Sequence, residues 1–123
     1  MNDSGLAVRA AVDASSSTLS DVLILVDDIH LDVGRTRVRR SGSDGGHNGL
    51  RSILANVEND GFARVRLGVG SVPDGHSQID FVLGRFSQSE SNLVFEMIGR
   101  ASEAVRSWCG DGVEVAMNQF NGK

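Results

Sequence analysis

The sequence predicts an α/β fold, with a parallel or mixed sheet lying under helices, and three observations carry that prediction. Residues 22–26, Val-Leu-Ile-Leu-Val, form an unbroken β-prone apolar run, the pattern of a strand covered on both faces. Two further segments, residues 35–40 and 63–69, alternate in the manner of strands. Helical periods stand between and after them, over residues 48–57 and 89–108. A chain of 123 residues has room for one domain and one core, and 40% hydrophobic against 23% charged residues suits a folded chain and not a disordered one.

In chain order, residues 4–14 bring Leu6, Ala7, Ala10, Ala11 and Ala14 to a helical face, with Ser4 placed to cap the helix and the Ser/Thr stretch 15–20 ending it. The apolar run then stops at Asp27-Asp28-Ile29-His30-Leu31-Asp32. Polar groups at the end of a buried strand mark where open α/β sheets hold ligands, although a solvated strand end has the same composition. Residues 35–40 alternate as a strand with one cationic face. The glycine-rich stretch 41–49 runs into a helix over 48–57, and the strand over 63–69 again carries arginines at alternate positions, Arg64 and Arg66. Gly68, Gly70 and Pro73 mark a loop reaching to Gln78, after which residues 79–84 read either as a short strand or as the start of a helix. The long amphipathic helix over 89–108 carries Leu93, Met97, Ala101, Ala104 and Trp108 along one stripe. Gly110 is expected to break it, and residues 111–118 form a last short helix.

The net charge of −4 excludes a uniformly basic nucleic-acid binder but leaves room for a basic patch. Lys123 is the one lysine, and every other basic residue is arginine. Arg35, Arg37 and Arg39 project to one face by the period of two, with Arg66 on a strand nearby in chain order. Clustered guanidinium groups suit phosphate oxygens, which they meet bidentately, whereas a charged edge strand that discourages pairing gives the same pattern. Asp44 is the sole acid between Val33 and Ala55, so these arginines have few sequence-local partners, and an anion site is the expected reading.

Residues 42–49 hold four glycines, which let a backbone approach a ligand closely. His47 and Asn48 stand where this loop enters the helix, exposing main-chain N–H groups and a side-chain amide. The loop lacks the Lys-Ser/Thr pair of a Walker A motif, and Gly68-Val69-Gly70 lacks the third glycine of a dinucleotide fingerprint. His30, His47, His76 and Cys109 show no zinc-motif spacing, so neither a metal nor another cofactor is expected. The single cysteine excludes an internal disulfide and reads as a buried small hydrophobe. With no signal-peptide pattern and no apolar run near the roughly 18 residues of a membrane span, a soluble cytoplasmic setting is expected.

The stretch Gly42-Ser43-Asp44-Gly45-Gly46-His47-Asn48-Gly49-Leu50-Arg51-Ser52 resembles the GSxGGHNGLKS signature of the bacterial-type peptidyl-tRNA hydrolase family. Phe62-Ala63-Arg64-Val65-Arg66-Leu67-Gly68-Val69-Gly70 is similar to its FxRxRIGIG strand. Residues 81–87 and 116–121, Leu25-Val26-Asp27-Asp28 with Gly34 (the family's VxxDDLDLPxG) and Met1-Asn2-Asp3-Ser4-Gly5 (its MNLSG) follow the family order, so the resemblance covers nearly the whole chain. It implies a three-layer α/β core with a mixed, partly parallel sheet between helices. Residues 1–123 are then a single domain of that type lacking the family's N-terminal portion.

The implied reaction is hydrolysis of the ester between a peptide and the 3′ ribose of tRNA, in which a histidine activates water and an aspartate orients the histidine. By position, Asp27 matches the orienting aspartate, and Met1, Asn2, His47 and Asn48 match the peptide-holding cleft. Arg37, Arg39 and Arg66 match basic positions that face tRNA, with Arg39 and Arg66 as the phosphate clamp. The family's GLGNPGxxYxxTRHNxG segment, source of the catalytic histidine, is not found ahead of Met1; His30 replaces an acidic residue and Asp32 a proline. Three expectations follow from the resemblance. Asp27 has no histidine partner, the isolated chain is a weak or inactive hydrolase, and its uncovered sheet is buried by self-association or by a complementing N-terminal chain. The alternative is a non-catalytic module that binds tRNA or a partner. The expected partner is tRNA, and no membrane is involved.

Overall fold

The computed structural model describes residues 3–121. Its sheet has three strands, β1 (Leu23–Asp28), β2 (Thr36–Arg39) and β3 (Ala63–Gly68), in the spatial order β1-β3-β2. β1 lies parallel to β3 with Leu25 beside Val65 and Val26 beside Arg66, and β2 lies antiparallel to β3 with Arg37 beside Arg66 and Arg39 beside Arg64. The sheet is therefore mixed, and its central strand, β3, carries Arg64 and Arg66 beside the Arg39 and Arg37 of β2. The α-helices among the described residues are α1 (Ser4–Ser15), α2 (Asn48–Val57), α3 (Gln78–Val82), α4 (Ser91–Asp111) and α5 (Val113–Phe120).

Side-chain alternation sorts the layers. Val38 and Val65 point to one face, where they pack with Ala101 and Ala104 of α4 and Ala116 of α5. Alanines at those positions let both helices sit close to the strands. Val26 points to the opposite face and packs with Leu50 and Ile53 of α2, with Phe62 and with Val8 of α1. α1 meets α2 at Gly5, whose N–H donates to Ser52 Oγ at 2.9 Å; a Cβ there would stand 2.0 Å from the Ser52 carbonyl oxygen. The result is three layers, helices–sheet–helices.

Several elements differ from the sequence reading, each for a local reason. Ser4 is already inside α1; Asp3 precedes it and makes no side-chain capping bond. β1 is an edge strand and is not covered on both faces: Leu25 is 48% exposed, because the α4–α5 layer reaches Leu23 but lies chiefly over β2 and β3. Arg35 lies in the turn before β2, its N–H donating to the Asp32 carbonyl and its own carbonyl accepting from Gly68 N–H. The undecided segment 79–84 is helical up to Val82, with Ser77 Oγ accepting from Asp80 N–H ahead of α3. Gly110 does not stop α4, since a glycine inside a helix costs only about 1 kcal/mol relative to alanine. The break comes at Gly112, whose φ of 90° no other residue adopts easily. No helix among the described residues is long and apolar enough to cross a membrane.

Candidate active site

β1 delivers Asp27 and Asp28 to one end of the sheet, and the glycine loop folds back over them. The turn depends on Gly45 and Gly46, with φ of 57° and 82°, and is held by Asp44, whose side chain accepts from Gly46 N–H and whose carbonyl accepts from His47 N–H, both at 2.8 Å. This places His47 just ahead of α2, where its Nδ1 accepts from Leu50 N–H at 3.1 Å. A main-chain N–H can only donate, so Nδ1 carries no proton and the neutral ring bears its hydrogen on Nε2. Nε2 then donates to Asp27 Oδ1 at 2.8 Å. That bond holds the Asp27 carboxyl below the usual carboxylate range, although its burial pushes the other way.

Asp27 thus has a hydrogen-bond partner that residue types alone did not reveal. It is His47, 20 residues along the chain, brought there by the glycine turn. Both ring nitrogens of His47 are engaged, one by Leu50 and one by Asp27. The ring therefore has no lone pair available for water without giving up the helix cap.

Asp27 and His47 form a wall between two unlike spaces. On one side is a small polar cleft lined by Asp28, Asp44, Arg66 and Gln78. On the other is an open groove of about 400 Å³ lined largely by apolar groups, among them Ala7, Val8, Leu25 and Ile53. Asn48, the first residue of α2, is partly buried next to His47. Beyond the polar cleft, Arg37, Arg39 and Arg66 share a shallow basin of about 360 Å³ with Asp28, His30 and Gly42. The structure thus brings three of the four predicted arginines together and leaves Arg35 out of the basin, and Arg66 has acquired a partner. Its guanidinium lies 3.4 Å from the buried Asp28 carboxylate and donates to the Ser43 carbonyl at 3.2 Å.

A family model for peptidyl-tRNA hydrolase matches residues 1–123. The chain belongs to the peptidyl-tRNA hydrolase family. It is 42% identical over 123 residues to the peptidyl-tRNA hydrolase of Lachnoclostridium phytofermentans, covering 100% of this chain and 64% of the relative. With that of Caldanaerobacter subterraneus it shares 44% over 122 residues, 99% of this chain and 65% of the relative. The crystal structure of peptidyl-tRNA hydrolase from Acinetobacter baumannii superposes with a TM-score of 0.91 at 31% identity, over 99% of this chain and 62% of that one. The chain therefore spans somewhat under two thirds of the length of these relatives.

Within this peptidyl-tRNA hydrolase fold, two predicted residues, Met1 and Asn2, lie outside the described residues. Ser4, close behind them, lines the apolar groove. Sequence reasoning missed Arg64, which is fully buried, stacks 4.2 Å above the Phe62 ring, and donates to the carbonyls of Gly42, Asp60 and Phe62 at 2.8–3.0 Å. Burial and the neighbouring Arg66 both lower its pKa, yet a guanidinium remains charged at neutral pH. Arg64 anchors the start of the glycine loop; alternation paired it with Arg66 but could not tell which of the two lies beneath the loop. Gln78, also unforeseen, reaches the Gly46 carbonyl at 3.4 Å. Among the described residues no cluster of His, Cys, Asp and Glu could hold a metal ion. Cys109 is exposed and not buried as expected; it opens on a separate groove at the far end of the sheet with Trp108 and Arg40.

Proposed function

We propose that this chain acts on peptidyl-tRNA in translation, taking part in hydrolysis of the ester between the peptide and the 3′ ribose. The observation that carries this reading is the Asp27–His47 pair, standing between a largely apolar groove and an arginine-lined basin. A peptidyl-tRNA has the same two-sided chemistry, with a peptide at one side of the ester and phosphates at the other. Asn48, His47, Met1 and Asn2 hold the peptide, and Arg37, Arg39 and Arg66 meet phosphate oxygens. In the reaction, water adds to the ester carbonyl carbon as a base takes its proton, and the ribose oxygen leaves with a proton. Asp27, kept anionic by His47, orients the imidazole that serves as base by accepting its N–H on Oδ2. His47 is unsuited to that role because both its nitrogens are committed.

Residues 1–123 alone therefore hydrolyse weakly or not at all, and a polypeptide segment that supplies an imidazole restores the rate. The open edge of β1 and the apolar groove beside it support docking of such a segment there, in the same chain or a second one. The setting is the cytoplasm. The test is binding and ester cleavage of peptidyl-tRNA by the purified chain, with and without an added histidine-bearing N-terminal segment of a longer relative. The expected result is salt-sensitive binding by the chain alone and turnover only with the added segment. Absence of binding refutes the reading. Fast turnover by the chain alone, abolished by His47→Ala, makes His47 the base and overturns the assignment of roles.

A further inference from the structure

The two edges of the sheet are treated differently. Among the described residues nothing pairs with the outer side of β1, whereas the outer edge of β2 carries a plug. Asn121, just beyond α5, spans Val38 with its side-chain amide: Val38 N–H donates to Asn121 Oδ1 at 2.6 Å, and Asn121 Nδ2 donates to the Val38 carbonyl at 2.8 Å. In an antiparallel ladder a residue's N–H and C=O point to the same side and alternate along the strand. Arg37 and Arg39 pair inward with β3, so Val38 presents its main-chain pair outward, and Asn121 satisfies both groups as a neighbouring strand would. The Arg37 guanidinium also donates to the main-chain carbonyl of Asn121. One residue at the C-terminal end thus grips the strand at the position between the two arginines that β2 contributes to the basin.

We infer that Asn121 is a positioning residue for tRNA phosphate recognition: its amide replaces a missing strand and holds Arg37 and Arg39 in the extended register that aims them into the basin with Arg66. β2 has only four residues, so β3 alone holds it by few bonds. Without the amide, the outward pair of Val38 turns to water and β2 is free to twist from its register. The side-chain amide supplies one donor and one acceptor at fixed spacing, which neither aspartate nor alanine provides. Its use here also blocks edge-to-edge pairing of β2 with another chain.

This inference rests on the reading of the arginine basin as a phosphate site. The test measures affinity of the full chain for deacylated tRNA at several salt concentrations, for Asn121→Ala, for Arg37→Ala/Arg39→Ala, and for the triple variant. Asn121→Ala is expected to weaken binding about tenfold in the parent chain and less than about twofold where both arginines are already gone. The slope of log affinity against log salt is expected to fall by about one phosphate contact, which a loss of stability alone does not produce. An equal loss in both backgrounds, or an unchanged salt slope, overturns the positioning role. If Arg37→Ala/Arg39→Ala itself leaves affinity unchanged, the phosphate reading of β2 fails first, a separate and recognisable outcome. If Asn121→Ala does not fold, Asn121→Gln carries the same test, because its amide stands one methylene too far out to close both bonds. It is expected to give a smaller loss of affinity, again coupled to the arginines.

Discussion

Replacing His47 separates the two jobs assigned to its ring. His47→Ala removes the helix cap on Leu50 N–H, worth about 1 kcal/mol, and the hydrogen bond to ionised Asp27. Bonds to charged groups contribute about 1.5–3 kcal/mol, and the lower end applies here because Asp27 is 27% exposed. The expected loss is therefore about 2.5 kcal/mol in urea denaturation at pH 7. His47→Asn retains a capping oxygen but is too short to reach Asp27, so it should cost about 1.5 kcal/mol.

The carboxyl titration of Asp27, followed by NMR, gives an independent sign. In the parent chain its midpoint lies below the usual carboxylate range. In His47→Ala the bond is gone while burial remains, so the midpoint rises. Because the folded value is depressed, the contribution of Asp27 to stability is complete above about pH 4, where the unfolded carboxyl is ionised. It is lost as pH falls through the folded midpoint. Equal destabilisation by His47→Ala and His47→Asn, or an Asp27 midpoint that does not move when His47 is replaced, would refute the assigned tautomer and with it the exclusion of His47 as base.

Three further outcomes are expected. Arg39→Ala and Arg66→Ala should each weaken tRNA binding and lower its salt slope by about one contact, read from filter binding across a salt series. Arg64→Met should be the most damaging arginine replacement, since it leaves the Gly42, Asp60 and Phe62 carbonyls without their buried donor; a loss of about 3 kcal/mol or more by chemical denaturation is expected. Gly68→Ala should fold poorly or not at all, because its Cβ would stand 2.1 Å from the Asp32 carbonyl oxygen, and Gly5→Ala should loosen α1 from α2 for the same reason; thermal melts rank both against the parent chain.

Much of the frame was legible before the structure. The helix over 48–57 matches α2 in its bounds, and alternation found both arginine strands, because burial on one face imposes a period that composition records. The limits were physical as well. The apolar run at 22–26 reported that its residues prefer to be covered but not what covers them, and β1 turned out to be an edge with Leu25 half exposed. Gly110 and Gly112 look alike in sequence, yet only Gly112 takes a conformation that ends α4, and that choice depends on how α5 packs back on the sheet. Asn121 stood in a segment with a family pattern, but its grip on Val38 joins residues 83 positions apart and leaves no periodic trace.

The sequence by itself determined the family, the α/β class and the set of residue types available for chemistry: strand-end carboxylates, a glycine loop with His47 and Asn48, and arginines spaced to share a face. Local periodicity and ordered motifs suffice for that, because each is written in neighbouring residues. Only the tertiary structure decided who partners whom. It paired Asp27 with His47, placed Asp28 against Arg66, buried Arg64 beneath the glycine loop and set Asn121 on the edge of β2. Each of these joins atoms far apart in the chain, and the strand order β1-β3-β2 and the left-handed turn at Gly45 and Gly46 bring them within bonding distance. Hydrogen-bond geometry then showed what residue type could not, that both ring nitrogens of His47 are engaged, one by Leu50 and one by Asp27.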